Sequence, residues 1–330
     1  MNLKNILLLV CFLGSLTSGA QSNLLNARTP DEIGKKTTAQ LVSDNDKPLA
    51  YGFVDDRDVL MGKTVWEYID LNERINFPLY FPTDSSQIGN NRRSLFDVLM
   101  KGIKSGKITQ VYADSYFTSK KTLTEINGNL KRIDTLPQGA DIINSDPDLY
   151  NPTIIPAKPA VLNRNGVVIK AATEAQIIPA KQQLDLQYID TKEITSFNVV
   201  GYRIVGRWYF DKRQGELKYR LLGICPVIPE AKYVREETTD YIGPFWIYFP
   251  DARDILNASY AFNDKNSAMP ISFDRLLNSR RFNAVITKEE NVYGDREIER
   301  YMKDNSQMQL LEAERVKDKI RDFEQDMWNY

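Results

Sequence analysis

The sequence predicts an α+β protein with antiparallel strands, short helices and a long C-terminal helix. Residues 197–227 contain two β-rich runs separated by a turn at Arg213–Gly215, a pattern typical of paired antiparallel strands. Ser94 precedes a stretch with apolar residues at helical spacing, and serine is a favoured helix N-cap. The stretch from Ile298 to Trp328 contains neither proline nor glycine, which favours a long helix.

The first twenty residues have the pattern of a secretory signal peptide. Lys4 precedes an apolar run from Ile6 to Leu13, and small residues lead to a cleavage position after Ala20. The apolar run is too short for a membrane-spanning helix. Residues 21–55 are polar and interrupted by proline and glycine, so we expect an extended arm there. The sequence therefore predicts an exported protein without direct membrane insertion.

Residues 56–136 and 191–296 are predicted to form two similar small lobes, because the same order of elements occurs in both. In each, an aromatic strand ends in proline and is followed by a capped helix, so an internal duplication is the favoured interpretation. Chance resemblance between aromatic strands is the alternative. The matching pairs are Phe77–Pro82 with Phe245–Pro250, and Phe96–Leu99 with Phe273–Leu276.

A proline-rich segment, residues 137–190, separates the two predicted lobes. It holds six of the fifteen prolines, which disfavour helix interiors and central strands. We therefore expect a linker or a large surface loop. Within it, Asn163–Gly166 lies between two apolar runs and has the sequence of a tight turn, so a small hairpin is predicted there.

Residues 297–330 are predicted to form a C-terminal amphipathic helix. Apolar side chains recur at three- and four-residue steps, which places one apolar stripe along an otherwise charged surface. The stripe requires cover, either from the protein's own body or from a neighbouring subunit. Its members are Ala313, Val316, Ile320, Phe323 and Met327.

The composition excludes several classes of function. The chain has 43 basic and 44 acidic side chains, a net charge of −1, so no broad basic surface for nucleic acid is expected. It contains no histidine, which removes catalytic sites that depend on an imidazole base. Cys225 lies in an apolar, strand-like run and is interpreted as a small buried hydrophobic residue.

No motif predicts a metal, a cofactor or a complete catalytic site. Gly102–Lys107 resembles a phosphate-binding loop but lacks its spacing and the hydroxyl residue that follows. The aspartates in Asp55–Asp58 and Asp44–Asp46 lack the glycine and distal glutamate of a calcium loop. Paired carboxylates could serve a periplasmic peptidoglycan hydrolase, which is the alternative function. The candidates for it are Glu67, Asp70, Asp97 and Asp274, although the last two also suit the first turn of a helix.

Clusters of aromatic residues occur on predicted strands, where bulky rings point to both faces. One face can fill the core, and the other face must then be covered by another element. A partner protein is one candidate for that cover, and helices or loops of the same chain are the other. Together with the C-terminal stripe, these clusters give the predicted partner-binding residues: Tyr80, Phe81, Trp246, Tyr248, Phe249, Ile320, Phe323 and Met327.

At these aromatic segments the sequence resembles the GldN family, called PorN in its periodontal relatives. The order and spacing of several motifs carry the resemblance, which covers most of the chain beyond Gly62. The motifs are Trp66–Pro82, Trp208–Lys212, Leu222–Pro226, Phe245–Arg253, Ser272–Asp274 and Arg280–Phe282.

The resemblance implies a non-enzymatic structural component of gliding motility and of the type IX secretion system. It further implies a periplasmic location, associated with the outer membrane through partners. The expected partners are the outer-membrane lipoprotein GldK, the periplasmic part of the motor protein GldM, and further copies of the chain in a ring.

Overall fold

The structure is a computed structural model, and it describes residues 47–84, 93–150, 153–155, 161–162, 168–170, 176–178, 184–234, 240–262, 271–303 and 305–328. The predicted signal peptide and most of the predicted arm lie outside these ranges. The strands are β1 (Val59–Asp70), β2 (Val111–Tyr112), β3 (Lys131–Thr135), β4 (Thr153–Ile155), β5 (Val161–Leu162), β6 (Val168–Lys170), β7 (Gln176–Ile178), β8 (Ile189–Glu193), β9 (Gly201–Asp211), β10 (Glu216–Pro229), β11 (Tyr241–Ile242), β12 (Trp246–Tyr248), β13 (Tyr260–Ala261), β14 (Ile271–Ser272) and β15 (Val285–Glu289).

The helices are short, apart from a long one at the C-terminus. They are α1 (Phe77–Tyr80), α2 (Leu95–Lys104), α3 (Leu123–Leu130), α4 (Pro137–Ser145), α5 (Pro147–Tyr150), α6 (Phe249–Ala258), α7 (Phe273–Asn278), α8 (Ile298–Tyr301) and α9 (Ser306–Trp328). The mixture of antiparallel strands, short helices and a long C-terminal helix confirms the predicted α+β class.

The chain divides into two compact units, and the larger is built on one antiparallel sheet. Its strand order is β15-β1-β9-β10-β12-β2, with β11 paired to β10. The predicted strands of residues 197–227 are present as the hairpin of β9 and β10. Gly215 closes the hairpin turn with a φ of 66°, a left-handed conformation that glycine adopts without strain.

The two predicted lobes share this sheet rather than forming separate structures. Strand β1 comes from the first predicted lobe and lies between β9 and β15 of the second, with antiparallel pairing on both sides. Strand β2, also from the first, pairs with β12. The long β1 can satisfy its backbone donors and acceptors on both edges only in the middle of a sheet, which explains why the lobes merge.

The proposed sequence repeat is kept at the capped helices but not at the aromatic segments. The Ser94 hydroxyl accepts a hydrogen bond from the backbone N–H of Asp97, and Ser272 caps α7 in the same way. The predicted strand Phe77–Pro82, however, is the helix α1 over its first four residues, with Pro78 in the first turn. Its counterpart is divided between the strand β12 and the start of α6, because residues 246–248 find sheet partners on both sides.

Two hydrophobic clusters lie against opposite faces of β1. Val65 belongs to a cluster that includes residues of β15 and α9, whereas the adjacent Trp66 packs with Val205, Cys225 and Trp246. Successive side chains of a strand point to opposite faces, so this sheet is covered on both sides at β1. Helix α6 packs against both α2 and α7, and α6 and α7 also contact β10.

The C-terminal stripe packs on the protein's own sheet, which was one of the two alternatives. Val316 and Ile320 are buried in the same cluster as Val65. The predicted single helix is divided, since the short α8 ends before α9 begins. The side chain of Asn305 accepts a hydrogen bond from the backbone N–H of Met308, and this cap marks the start of α9.

The second compact unit comprises Leu130–Glu193. Strands β3 and β8 pair along their whole length, and β4 pairs with β7. Strands β5 and β6 form the predicted hairpin, although its turn lies outside the described residues. Pro137 and Pro147 each stand at the beginning of a helix, where proline is tolerated best. The predicted linker therefore contains short helices and paired strands.

The packing of α9 predicts a large effect for Ile320→Ala. Removing this buried side chain leaves a cavity between α9 and the sheet, and we expect the free energy of unfolding to fall by about 2–4 kcal/mol. Urea denaturation followed by circular dichroism measures the change. Lys319→Ala, at an exposed position one residue earlier, is the matched control and should change it by less than about 0.5 kcal/mol. Equal stability of both variants would contradict the observed docking.

Candidate interaction surface

Three of the eight predicted partner-binding residues are buried. Trp246 is 8% exposed within the sheet, Phe249 is 0% exposed at the start of α6, and Ile320 is 7% exposed on the face of α9 that packs on the sheet. Their apolar surface is already covered by the same chain, the alternative that the sequence left open. These side chains offer little area to a partner in the described conformation.

The other five predicted residues keep part of their surface accessible. Tyr80, Tyr248, Phe323 and Met327 are half-buried, and Phe81 is exposed. Phe323 makes an edge-to-face contact with Phe210 of β9, with ring centroids 6.5 Å apart. Phe323 therefore contributes to docking of α9, whereas Tyr80 and Phe81 belong to a more open surface.

This open surface, which we call the aromatic patch, consists of Ile75, Phe77, Tyr80, Phe81 and Phe197. The exposed fractions are 71% for Phe197, 57% for Ile75, 45% for Phe81 and 38% for Phe77. The ring of Phe81 packs edge-on against those of Phe77 and Tyr80, at centroid distances of 5.4 and 4.7 Å. The Tyr80 hydroxyl donates to the Phe197 carbonyl at 3.0 Å, which fixes the two segments side by side.

Buried neighbours hold the aromatic patch in place. The side-chain amide of Asn76 donates to the carbonyls of Asp70 and Asn283 at 2.7 and 3.0 Å. Leu79, between the patch residues, is fully buried. The turn that carries Phe197 is closed by a capping box between Thr195 and Asn198. The exposed rings are thus presented by anchored backbone.

Sequence reasoning selected Tyr80 and Phe81 but not Ile75, Phe77 or Phe197. Phe197 stands inside a polar cap signature, Thr195 to Asn198, and an aromatic residue in such a setting lacks the apolar neighbours of a core position. That signal was available in the sequence. The exposure of Ile75 and Phe77 follows from the helical turn at residues 74–80, which the strand-like reading of this segment concealed.

The first candidate carboxylate, Glu67, is held in a buried ion pair. Arg280 donates two hydrogen bonds to it, at 2.9 and 2.8 Å, and the glutamate side chain is 1% exposed. The guanidinium of Arg280 also lies 4.2 Å from the ring centroid of Tyr219. Gly206 makes room for that ring, since a Cβ there would collide with it. Burial beside Glu67 raises the pKa of Tyr219 well above its usual value, so Tyr219 remains a neutral donor.

The other three candidate carboxylates also have structural partners. Asp274 accepts two hydrogen bonds from Arg253, at 2.8 and 3.1 Å, and is buried. Asp97 accepts from the Ser196 hydroxyl at 3.1 Å. Asp70 accepts from the backbone and side chain of Asn72, both at 2.9 Å. These contacts fix turns and helix ends, so they give no support to paired acid–base catalysis.

The thiol of Cys225 is fully buried in β10, as the sequence predicts. Burial raises the pKa of this thiol to about 12. A thiol in this environment is almost entirely protonated at neutral pH, and the thiolate is the reactive form. Cys225 thus acts as a packing residue.

These features define an α+β protein with one large antiparallel sheet, anchored aromatic side chains at its surface, and carboxylates engaged in structural contacts. The model of a family described as "Gliding motility associated protein GldN" matches residues 54–329, and the chain belongs to this family. The match confirms the resemblance seen in the sequence. Members of this family are components of the machinery for gliding motility and type IX secretion.

A search of curated proteins finds no match to the chain. Among the helices that the structure describes, none combines the length and the apolar character required to cross a bilayer.

The buried pair predicts that Glu67→Gln destabilises the protein. The change leaves the Arg280 charge without its counterion, and we expect a loss of about 3 kcal/mol in the free energy of unfolding. Glu290→Gln is the matched control, because its partner Arg207 and Glu290 itself are both about half exposed; this change should cost less than about 1 kcal/mol. Chemical denaturation of the two variants compares them directly, and a loss of equal size in both would contradict the assigned role.

Proposed function

We propose that this chain is a non-enzymatic structural component of the gliding and type IX secretion machinery. In this proposal it lies in the periplasm, forms a ring complex with the outer-membrane lipoprotein GldK, and contacts the periplasmic part of GldM. The family match supports the assignment of the chain to this machinery. The aromatic patch is the observation that supports a role in assembly.

The aromatic patch has the composition and the setting of a protein-binding surface. Aromatic residues dominate binding energy at protein interfaces because each buries a large apolar area at a low cost in conformational entropy. Phe77, Phe81 and Phe197 are exposed although neighbouring apolar side chains, such as Leu79, are buried. Exposed apolar groups on anchored backbone lose little further freedom when a partner covers them.

In a ring complex, each copy needs a face for GldK as well as its contacts with neighbouring copies. The aromatic patch supplies one candidate. A second exposed apolar group lies on the first turns of α9, at Met308, Leu310 and Leu311, which are 44%, 50% and 62% exposed. We assign the aromatic patch to GldK and the start of α9 to contact between neighbouring copies.

Phe197→Ser tests the assignment of the aromatic patch. Loss of an interface ring of this kind weakens binding by about 2 kcal/mol, so we expect an approximately 30-fold higher Kd for purified GldK. The fold should be retained, because the ring is largely in solvent. Val292→Ser is the matched control, since Val292 is 93% exposed and lies outside the aromatic patch. Unchanged affinity in both Phe197→Ser and Phe81→Ser would overturn the assignment.

The non-enzymatic role is tested with purified peptidoglycan. We expect no release of soluble fragments by the purified chain, because the candidate carboxylates are engaged in structural contacts. Chromatography of the soluble fraction measures release, with a known glycoside hydrolase as the positive control. Release that is abolished by Asp70→Asn, a change that leaves the Glu67–Arg280 pair intact, would favour the hydrolase instead.

A further inference from the structure

An open pocket of about 400 Å³ lies at the edge of the main sheet, outside the aromatic patch and the start of α9. It is lined by Gln110, Tyr112, Phe117, Tyr248 and Asp251. Three of these five residues are aromatic and one carries a negative charge. The ring of Phe117 stands edge-on to those of Tyr112 and Tyr248, at centroid distances of 5.4 and 5.2 Å.

The position of Phe117 in this pocket depends on a strained backbone conformation, a fixed turn and a glycine in the sheet below. Its backbone has a φ of 60°, an unfavourable conformation for a bulky residue. The preceding turn is fixed by Asp114, whose carboxylate accepts hydrogen bonds from the Tyr116 N–H at 2.9 Å and the Thr118 hydroxyl at 2.6 Å. On the sheet below, a Cβ at Gly223 would lie 2.5 Å from the Phe117 ring, so glycine is required there.

Asp251 brings a carboxylate to the lining of the pocket. Its Oδ2 accepts hydrogen bonds from the backbone N–H groups of Thr109 and Gln110, at 2.6 and 2.9 Å. Within the described part of the chain, no hydrogen bond to its Oδ1 is found. The carboxylate is therefore fixed in position by one oxygen and retains acceptor capacity on the other.

Aromatic rings and a carboxylate in the lining of one pocket favour a cation. A ring attracts positive charge through the negative electrostatic potential over its face, and a carboxylate adds direct charge attraction. The planar guanidinium of arginine can stack on a ring while it donates hydrogen bonds to a carboxylate, which the compact lysine ammonium does less well. The combination of lining groups therefore selects arginine among side chains.

The openness of the pocket favours a side chain attached to a larger molecule. Sites for free small molecules usually bury most of the ligand, and an open pocket cannot. A side chain that reaches in from a partner's surface needs to bury only its own tip. We propose that this pocket receives an arginine side chain of a partner protein.

The chain's own Lys120 lies over the ring of Tyr112, with its ammonium 5.9 Å from the ring centroid. This distance is at the outer limit for a cation–π interaction, so the attraction between Lys120 and the ring is weak. Its charge opposes that of an incoming guanidinium. Replacing it with a neutral residue should therefore strengthen binding.

A titration with small probes tests the inference without any assembly partner, so its result is independent of the proposed function. Binding of Nα-acetyl-arginine amide to the full chain is measured by saturation-transfer NMR and compared with the neutral isostere, Nα-acetyl-citrulline amide. We expect the arginine probe to bind at least about tenfold more tightly, and the lysine analogue to be weaker than arginine. Acetyl-Gly-Arg-Gly amide should bind no less tightly than the single residue, as a side chain on a protein would.

Variants at and near the pocket test whether the arginine probe binds there. Asp251→Asn keeps an acceptor for Thr109 and Gln110 but removes the charge, and should weaken the arginine probe about tenfold. Tyr248→Leu should weaken it about threefold, whereas Tyr248→Phe, which keeps the ring, should not. Lys120→Gln should strengthen it about twofold.

Several outcomes would overturn the inference. Equal binding of arginine and citrulline would show an apolar pocket without selection for charge. Stronger binding of the lysine probe would remove the assignment to arginine. Failure of the tripeptide to bind would indicate a site for a free cation. Wild-type affinity of Asp251→Asn for the arginine probe would show that the probe binds elsewhere.

Discussion

The insertion of β1 between β9 and β15 is the constraint on which the larger unit depends. This strand pairs with β9 along almost its whole length and with β15 over its second half. Its side chains then contribute to clusters on both faces of the sheet, Val65 on one and Trp66 on the other. Because this strand has a partner on each edge and a cluster on each face, the positions of the elements around it are largely fixed.

The buried pair of Glu67 and Arg280 follows from the same constraint. A charge in the interior of a sheet is tolerated when a counterion and further hydrogen bonds compensate its lost hydration. Arg280 supplies two hydrogen bonds, and Tyr219 adds a hydroxyl at 3.4 Å. Glu67, one of the four carboxylates considered for an acid–base role, is thereby committed to holding β1 against the turn after α7.

The aromatic residues of this protein divide into two groups with different consequences. Rings such as Phe245, Phe249 and Phe273 are fully buried and stabilise the core. The aromatic patch is held by a capped turn, and the pocket is held by the strained Phe117 and by Gly223, which leaves room for its ring. Building such surfaces costs local stability, and this cost is consistent with a protein whose role is to bind other proteins.

The sequence by itself determined the α+β class, the β9–β10 hairpin, the Ser94 cap, the helical C-terminus and the family, because these depend on local patterns and on motif order. It also selected Tyr80 and Phe81, which the structure leaves half-buried and exposed, respectively. Only the tertiary structure decided that two similar segments share one sheet, that Trp246, Phe249 and Ile320 are covered by their own chain, and that Phe197 is not. Burial depends on pairings between residues far apart in the sequence, such as Glu67 with Arg280, and no local pattern contains that information.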